Sequence, residues 1–304
     1  MKSNTTRADI YQRVTDRIVS DLEQGIRSWV KPWHVEHTAG RISRPLRHNG
    51  TPYRGVNVLL LWGEAFERGY VAPLWMTYKQ AQGIGGQVRK GEHGALVVFA
   101  DKFTKTETDD KGEAVERDIP FMKGYTVFNV EQIEGLPEHY YARPANPLPL
   151  AERIENAERF IKSTGADIRH GGNRAFYMPS HDRIQLPPFE AFKDKESYYA
   201  TALHELTHWT RHTSRLERDF GRKHFGDEGY AREELVAELG AAFLCADLGI
   251  TPEIRDDHAA YIACWLKALK DDKRAIFQAA AHAQRAADYL AELQAVDQTE
   301  TVAA

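Results

Sequence analysis

Cysteine is nearly missing from this chain of 304 residues: Cys245 and Cys264 are its only two, each in helix-like apolar surroundings. That excludes a disulfide framework and a cysteine-type metal pair, and it predicts a reducing cytoplasm as the location. Long apolar runs are missing too. The most apolar stretches, residues 56–62 and 95–100, fall far short of the roughly 18 residues that cross a bilayer. The first residues, MKSNTTRADIYQRV, carry a basic residue but no apolar signal-peptide core, so neither a membrane partner nor secretion is expected. No helix-turn-helix, zinc-finger, RNP or Walker pattern occurs, and residues 83–87, GIGGQ, lack both the GxGxxG spacing and a lysine.

What is present is an ordinary globular mixture, 42% apolar and 28% charged, on a chain long enough for two domains. The net charge of -4 hides an asymmetry. Residues 1–100 hold 14 Lys/Arg against 8 Asp/Glu, a balance of +6, while the remainder holds 26 against 36, a balance of -10. A basic front on an acidic body predicts that the front meets a polyanion.

Apolar residues every four positions, Ile10, Val14, Ile18 and Leu22, predict an amphipathic helix over residues 7–24. Further helices are expected over 56–68 and 77–82, then strands over 95–103 and 121–130 joined by a long, mobile polar connection. Four prolines between residues 135 and 150 mark a linker. The expected organisation is α+β in two domains: 1–136, a proline-rich linker over 137–149, and 150–304. In the second part, short strands at 167–170, 174–178 and 183–186 precede a helix-rich remainder.

The strongest motif is His204-Glu205-Leu206-Thr207-His208, an HExxH on a helix expected over residues 195–212. Histidines four apart project from one helix face, so both rings reach one ion while Glu205 faces a water bound there. A catalytic zinc needs a third protein donor. The metzincin extension fails, because Arg211 and Ser214 stand where its glycine and histidine belong. The donor must come from further on, where Glu234 and Glu238 lie one turn apart. That stretch resembles the glutamate helix of gluzincin-type metallopeptidases. The resemblance implies Glu234 as third ligand and Glu238 as the acid that orients a ligand histidine; Glu in place of the usual Asp leaves these roles exchangeable. His170, His181, His212 and His224 are read as surface or hydrogen-bonding histidines, and Tyr177 as part of an edge strand that holds an extended substrate.

The basic front also concentrates tryptophan, with Trp29, Trp33, Trp62 and Trp75 among the first 100 residues. Aromatic faces beside a cationic track are what sequence-tolerant binding of single-stranded DNA requires. The candidate DNA-binding residues are Lys31, Trp33, Arg44, Arg47, Tyr53, Arg54, Trp75, Tyr78, Lys79, Arg89 and Lys90, with Trp29 a further platform and Trp62 assigned to the core.

In order along the chain, TDRIVSDLEQG, YRGVNVLLLW, TYKQAQGIGGQVRKGEHG, TVFNVEQIEGLP, HELTHWTRHTSRL and YAREELVAELGAAFLCADLGI resemble the ArdC-type plasmid antirestriction proteins. Their N-terminal domain is shared with TraC-type conjugative primases. The resemblance implies a single-stranded DNA-binding domain joined to a zincin-like metallopeptidase, protecting incoming plasmid DNA during conjugation, with host restriction-enzyme subunits as candidate partners. The expected cofactor is Zn2+, with Mn2+ as another divalent candidate. The rival reading is a DNA-binding, restriction-blocking protein whose metal half is a non-proteolytic scaffold.

Overall fold

Val14, Ile18 and Leu22 are all buried along one face of helix α1 (Ile10–Glu23), and the Asp9 carboxylate caps it by accepting from the Tyr11 N–H at 2.9 Å. The computed structural model describes residues 9–26, 29, 43–108, 114–141, 149–221, 227–251 and 258–301. Strand β1 (Leu46–Arg47) leads to α2 (Val56–Arg68), which Gly69 ends in the left-handed conformation at φ 72°. Then come β2 (Leu74–Met76) and the short α3 (Tyr78–Gly83), started by a reciprocal Thr77–Gln80 capping box. Strands β3 (Gln87–Val88), β4 (Ala95–Thr108), β5 (Ala114–Asn129) and β6 (Ile133–Glu134) complete the front half.

The front sheet has the order β1-β2-β5-β4, and β3 pairs with β6 apart from it. Its hairpin corrects an expectation. The polar residues on either side of 109–113 are not a loose connection: β4 and β5 stay in antiparallel register from Ala95↔Val127 out to Thr108↔Ala114. At about 3.4 Å per residue that ribbon is roughly 45 Å long. Backbone pairing continues there without a buried face, so hydrophobic alternation could not reveal it.

Beyond the proline-rich segment, of which residues 142–148 lie outside the described residues, come α4 (Leu150–Ser163), β7 (Asp167–His170), β8 (Phe176–Met178) and β9 (Arg183–Leu186). This second sheet has the order β7-β9-β8, which leaves β8 at an edge. Helices α5 (Lys195–Trp209), α6 (Glu228–Leu248), α7 (His258–Asp271) and α8 (Ala275–Thr301) follow. Every residue of α5 from Ser197 to Trp209 is buried, so it is a central helix rather than an amphipathic one. Where α6 crosses it, a Cβ on Gly240 would fall 2.4 Å from the Thr207 Cγ2. Only glycine lets the two helices approach so closely.

The proline-rich segment divides the chain but not the core. One cluster of buried side chains joins Val14, Ile18, Trp29 and Leu59 of the front to Leu239, Trp265, Ile276 and Leu290 of the rear. The Thr15 hydroxyl donates to the Lys273 carbonyl at 2.8 Å, and the Trp29 and Trp265 rings lie 6.4 Å apart. No described helix is long and apolar enough to cross a membrane.

Candidate metal centre

Among the described residues, metal-type side chains converge as a single group. Ligand atoms of His204, His208 and Glu234 lie within 4.8 Å of one another, the two histidines buried and Glu234 nearly so. One helical turn on α5 puts both imidazoles on the face that meets α6, and the Gly240 contact brings α6 close enough for its carboxylates to reach them. Glu234 faces both Nε2 atoms, at 3.7 Å from His204 and 3.5 Å from His208. Tetrahedral donors about 2.0–2.1 Å from a zinc ion are about 3.4 Å apart, so this donor set fits one such ion.

The other ring nitrogens are held from behind. His204 Nδ1 lies 3.3 Å from the Glu238 carboxylate, and His208 Nδ1 donates to the Glu233 carboxylate at 3.0 Å. A carboxylate on each Nδ1–H fixes the tautomer that turns Nε2 toward the ion. Glu233 is in turn gripped by Arg218, whose Nε and Nη2 each donate to it at 2.8 Å. Both are 3% exposed. Burial disfavours the charge of Glu233, yet the Arg218 and His208 hydrogen bonds hold its carboxyl down at about 2. Arg218 also donates to the Thr207 carbonyl at 2.9 Å and the Thr210 hydroxyl at 3.1 Å, closing the end of α5.

Glu205, buried at 2% exposure, lines a cleft of about 590 Å³ together with His204, His208, Glu233 and Glu234. The edge strand β8 forms another wall, through Phe176 and Tyr177. The Tyr177 hydroxyl donates to Asp182 at 2.9 Å, and Arg215, whose guanidinium lies over the Trp209 ring at 3.7 Å, binds the same carboxylate. Hydrogen bonding to Arg215 holds Asp182 below the usual carboxylate range.

Residues 155–282 match a family described as zincin-like metallopeptidase, and residues 8–128 match the N-terminal domain of anti-restriction factor ArdC. A crystal structure of the antirestriction protein ArdC from plasmid R388, metal-free, superposes with a TM-score of 0.79 at 48% identity, covering 94% of this chain and 98% of that one. The chain belongs to the ArdC antirestriction family. The Mn(II)-bound structure of the R388 protein superposes with a TM-score of 0.76. Protein y4eC of Sinorhizobium fredii is 46% identical over 291 residues, spanning 94% of this chain and 92% of its own length. DNA primase TraC of Escherichia coli is 41% identical over 300 residues, but this ArdC-family chain spans only 27% of that protein.

In the ArdC N-terminal part, the candidate DNA-binding residues separate sharply. Lys31 and Trp33 lie outside the described residues. Trp75 and Tyr53, expected as platforms, are corrected to core residues at 1% and 8% exposure, as is Trp29 at 1%. Trp75 packs edge-on to Tyr70, with ring centroids 5.8 Å apart, and offers no face to a base. Arg44 is corrected too: it is buried, donates to both oxygens of Asp247 on α6 at 2.9 Å, and lies 4.3 Å from the Phe243 ring centroid. Arg54 and Arg89 are exposed but paired, with Asp288 and Glu92. Arg47, Tyr78, Lys79 and Lys90 remain on the surface. Exposed aromatics that composition did not single out stand on the hairpin, where Phe99 lies 6.3 Å from Tyr125. Glu233 was also not singled out as part of the site; the signal for it is that a second ligand histidine needs a carboxylate of its own.

Proposed function

We propose that this ArdC-family protein holds single-stranded DNA on its front half and that its rear half is a zinc-dependent metallopeptidase. It would work in the cytoplasm of a cell receiving plasmid DNA by conjugation, with host restriction-enzyme subunits as candidate peptide substrates. The observation that carries the peptidase reading is the convergence of both Nε2 atoms on Glu234 beside Glu205 in one cleft. His204, His208 and Glu234 would hold the ion, and the Mn(II) bound by the R388 relative makes manganese the alternative metal. When bound, a divalent ion supplies Lewis acidity to a scissile carbonyl and to water.

This chain's own residues do the rest. Glu238 and Glu233 keep the two imidazoles oriented. Glu205 takes the proton of the attacking water and passes it to the leaving amine, a transfer worth about 10²- to 10⁴-fold in such chemistry. Edge strand β8 offers unpaired backbone groups to an extended peptide. Glu205 is also what separates an enzyme from a metal-stabilised scaffold, since a purely structural site has no use for it.

Glu205→Gln tests the reading. The variant keeps its metal, as measured by elemental analysis, and loses cleavage of restriction-enzyme subunits read by mass spectrometry. If it protects incoming plasmid as well as the parent protein does, hydrolysis is not the operative step and the scaffold reading replaces it.

A further inference from the structure

Nearly every described arginine of the rear half is committed to a neighbour. Arg153 pairs with Glu196, Arg183 with Asp167, Arg215 with Asp182, Arg218 with Glu233 and Arg232 with Glu228. Arg174 and Arg211 differ. Neither side chain has an acid, amide or ring partner among the described residues, and both line the cleft that holds the metal-type cluster. Arg174 lies two residues before β8, and Arg211 lies just past α5, where its N–H donates to the His208 carbonyl at 2.9 Å. Arg211 is half-buried, so its guanidinium has lost part of its hydration and gains most from an anion that arrives with the ligand, whereas Arg174 is exposed at the rim and adds charge rather than desolvation.

The charges around it leave that anion unsupplied. Glu233 is neutralised by Arg218. Glu234 faces the two histidines. Among the described lining residues, Glu205 is the one remaining acid beside the two arginines and whatever charge an ion adds.

We propose that Arg174 and Arg211 make the cleft selective for peptides carrying acidic side chains close to the scissile bond. A peptide rather than a nucleic acid is the occupant favoured here, because one wall of the cleft that both cations line is an edge strand with exposed Phe176, suited to an extended backbone. This selectivity rests on the peptidase reading for its biological meaning, but it can be measured without turnover.

The test uses full-length Glu205→Gln loaded with Mn(II), and a short fluorescein-labelled peptide with Asp and Glu on both sides of a central Leu-Ala bond. Its counterpart carries Asn and Gln instead. Anisotropy should show the acidic peptide binding about tenfold tighter, with the advantage fading in salt. Arg174→Gln and Arg211→Gln should each remove part of that advantage and together abolish it, while metal content and affinity for the amide peptide stay unchanged. Equal binding of the two peptides, no binding of either, or a preference that survives the double variant overturns the proposal. So does an outcome in which the double variant loses affinity for a single-stranded oligonucleotide but not for the acidic peptide. Hydrolysis is scored separately with the metal-loaded parent protein: acid-selective binding without cleavage refutes the peptidase reading and leaves the selectivity standing.

Discussion

The two halves spend their charged and aromatic residues in opposite ways. Around the metal centre the charges are inside: His204, Glu205, Arg218, Glu233 and Glu238 are all buried, with Arg218 paired to Glu233 and His204 to Glu238. In the front half Trp29, Tyr53, Trp62 and Trp75 are inside, while Arg47, Lys79, Arg89 and Lys90 stay in solvent. Buried charges that orient one another behave as a unit, so losing one member disturbs the rest. Scattered surface cations act through a screened field, and each contributes a small, separable share.

The largest effect should follow from removing the centre outright. His204→Ala with His208→Ala should reduce metal from about one ion per chain to background, by elemental analysis after gel filtration. Binding of single-stranded DNA by the front half should persist. Glu234→Ala should weaken metal binding more than Glu238→Ala, since Glu234 faces both Nε2 atoms and Glu238 stands behind one ring. The reverse ranking would exchange their roles, and undiminished metal in the double histidine variant would remove the site.

Next in size is Arg218→Met, which touches neither ion nor substrate. It leaves Glu233 buried and uncompensated, and removing a carboxylate-orienting partner typically lowers metal affinity 10- to 100-fold. Adding Glu233→Gln should recover much of that loss, because the amide oxygen still accepts from His208 Nδ1–H and needs no cation. No recovery would mean that Arg218 serves only to close α5. Proton linkage sharpens the same point. In the ion-free protein burial disfavours charge on His208, but Glu234 and Glu233 outweigh it and raise its pKa from 6.5 to about 10. A raised histidine stabilises the fold fully below pH 6.5, and that share is lost as pH rises through about 10. The ion-free Tm should therefore fall across this window, while metal affinity, which needs the neutral ring, rises with pH and binding releases a proton measurable by calorimetry.

The contrast also explains how far the sequence could be read. His204, Glu205 and His208 share one helical turn, so their spacing already carries their geometry. Residues 167–170 and 183–186 were legible as strands because they alternate or sit between turn residues. Glu233 was not, because its role depends on α6 meeting α5 at Gly240, a contact between segments 33 residues apart that no local period encodes. In the front half, tryptophan and arginine content said that aromatics and cations were present, but not which side of a sheet or helix faces solvent. Trp75 sits on a strand too short to show alternation, and Arg44 finds Asp247 only when the rear half folds against it. The shared core has the same origin: the prolines before α4 mark a break in the chain, whereas packing of α1 against α7 is set by tertiary contact.

The smallest effects belong to the surface cations, and they decide whether the front half works as described. Lys79→Gln and Lys90→Gln remove exposed charges with no partner among the described residues, and Arg47→Gln removes one whose guanidinium lies 5.4 Å from the Tyr53 ring centroid. If each meets one phosphate of a single strand, each should flatten the slope of log K against log salt by about 0.7, and the two lysine variants should leave Tm unchanged. Trp75→Ala is the control from the other class. Emptying that core position should cost about 3 to 5 kcal/mol of stability, seen as a lower Tm, without altering the salt slope of the protein that remains folded. A Trp75→Ala protein of parental Tm with weakened DNA binding would return the ring to the surface. Cation variants that leave the slope unchanged would instead move the DNA off this face, toward the exposed Phe99 and Tyr125 of the β4–β5 ribbon.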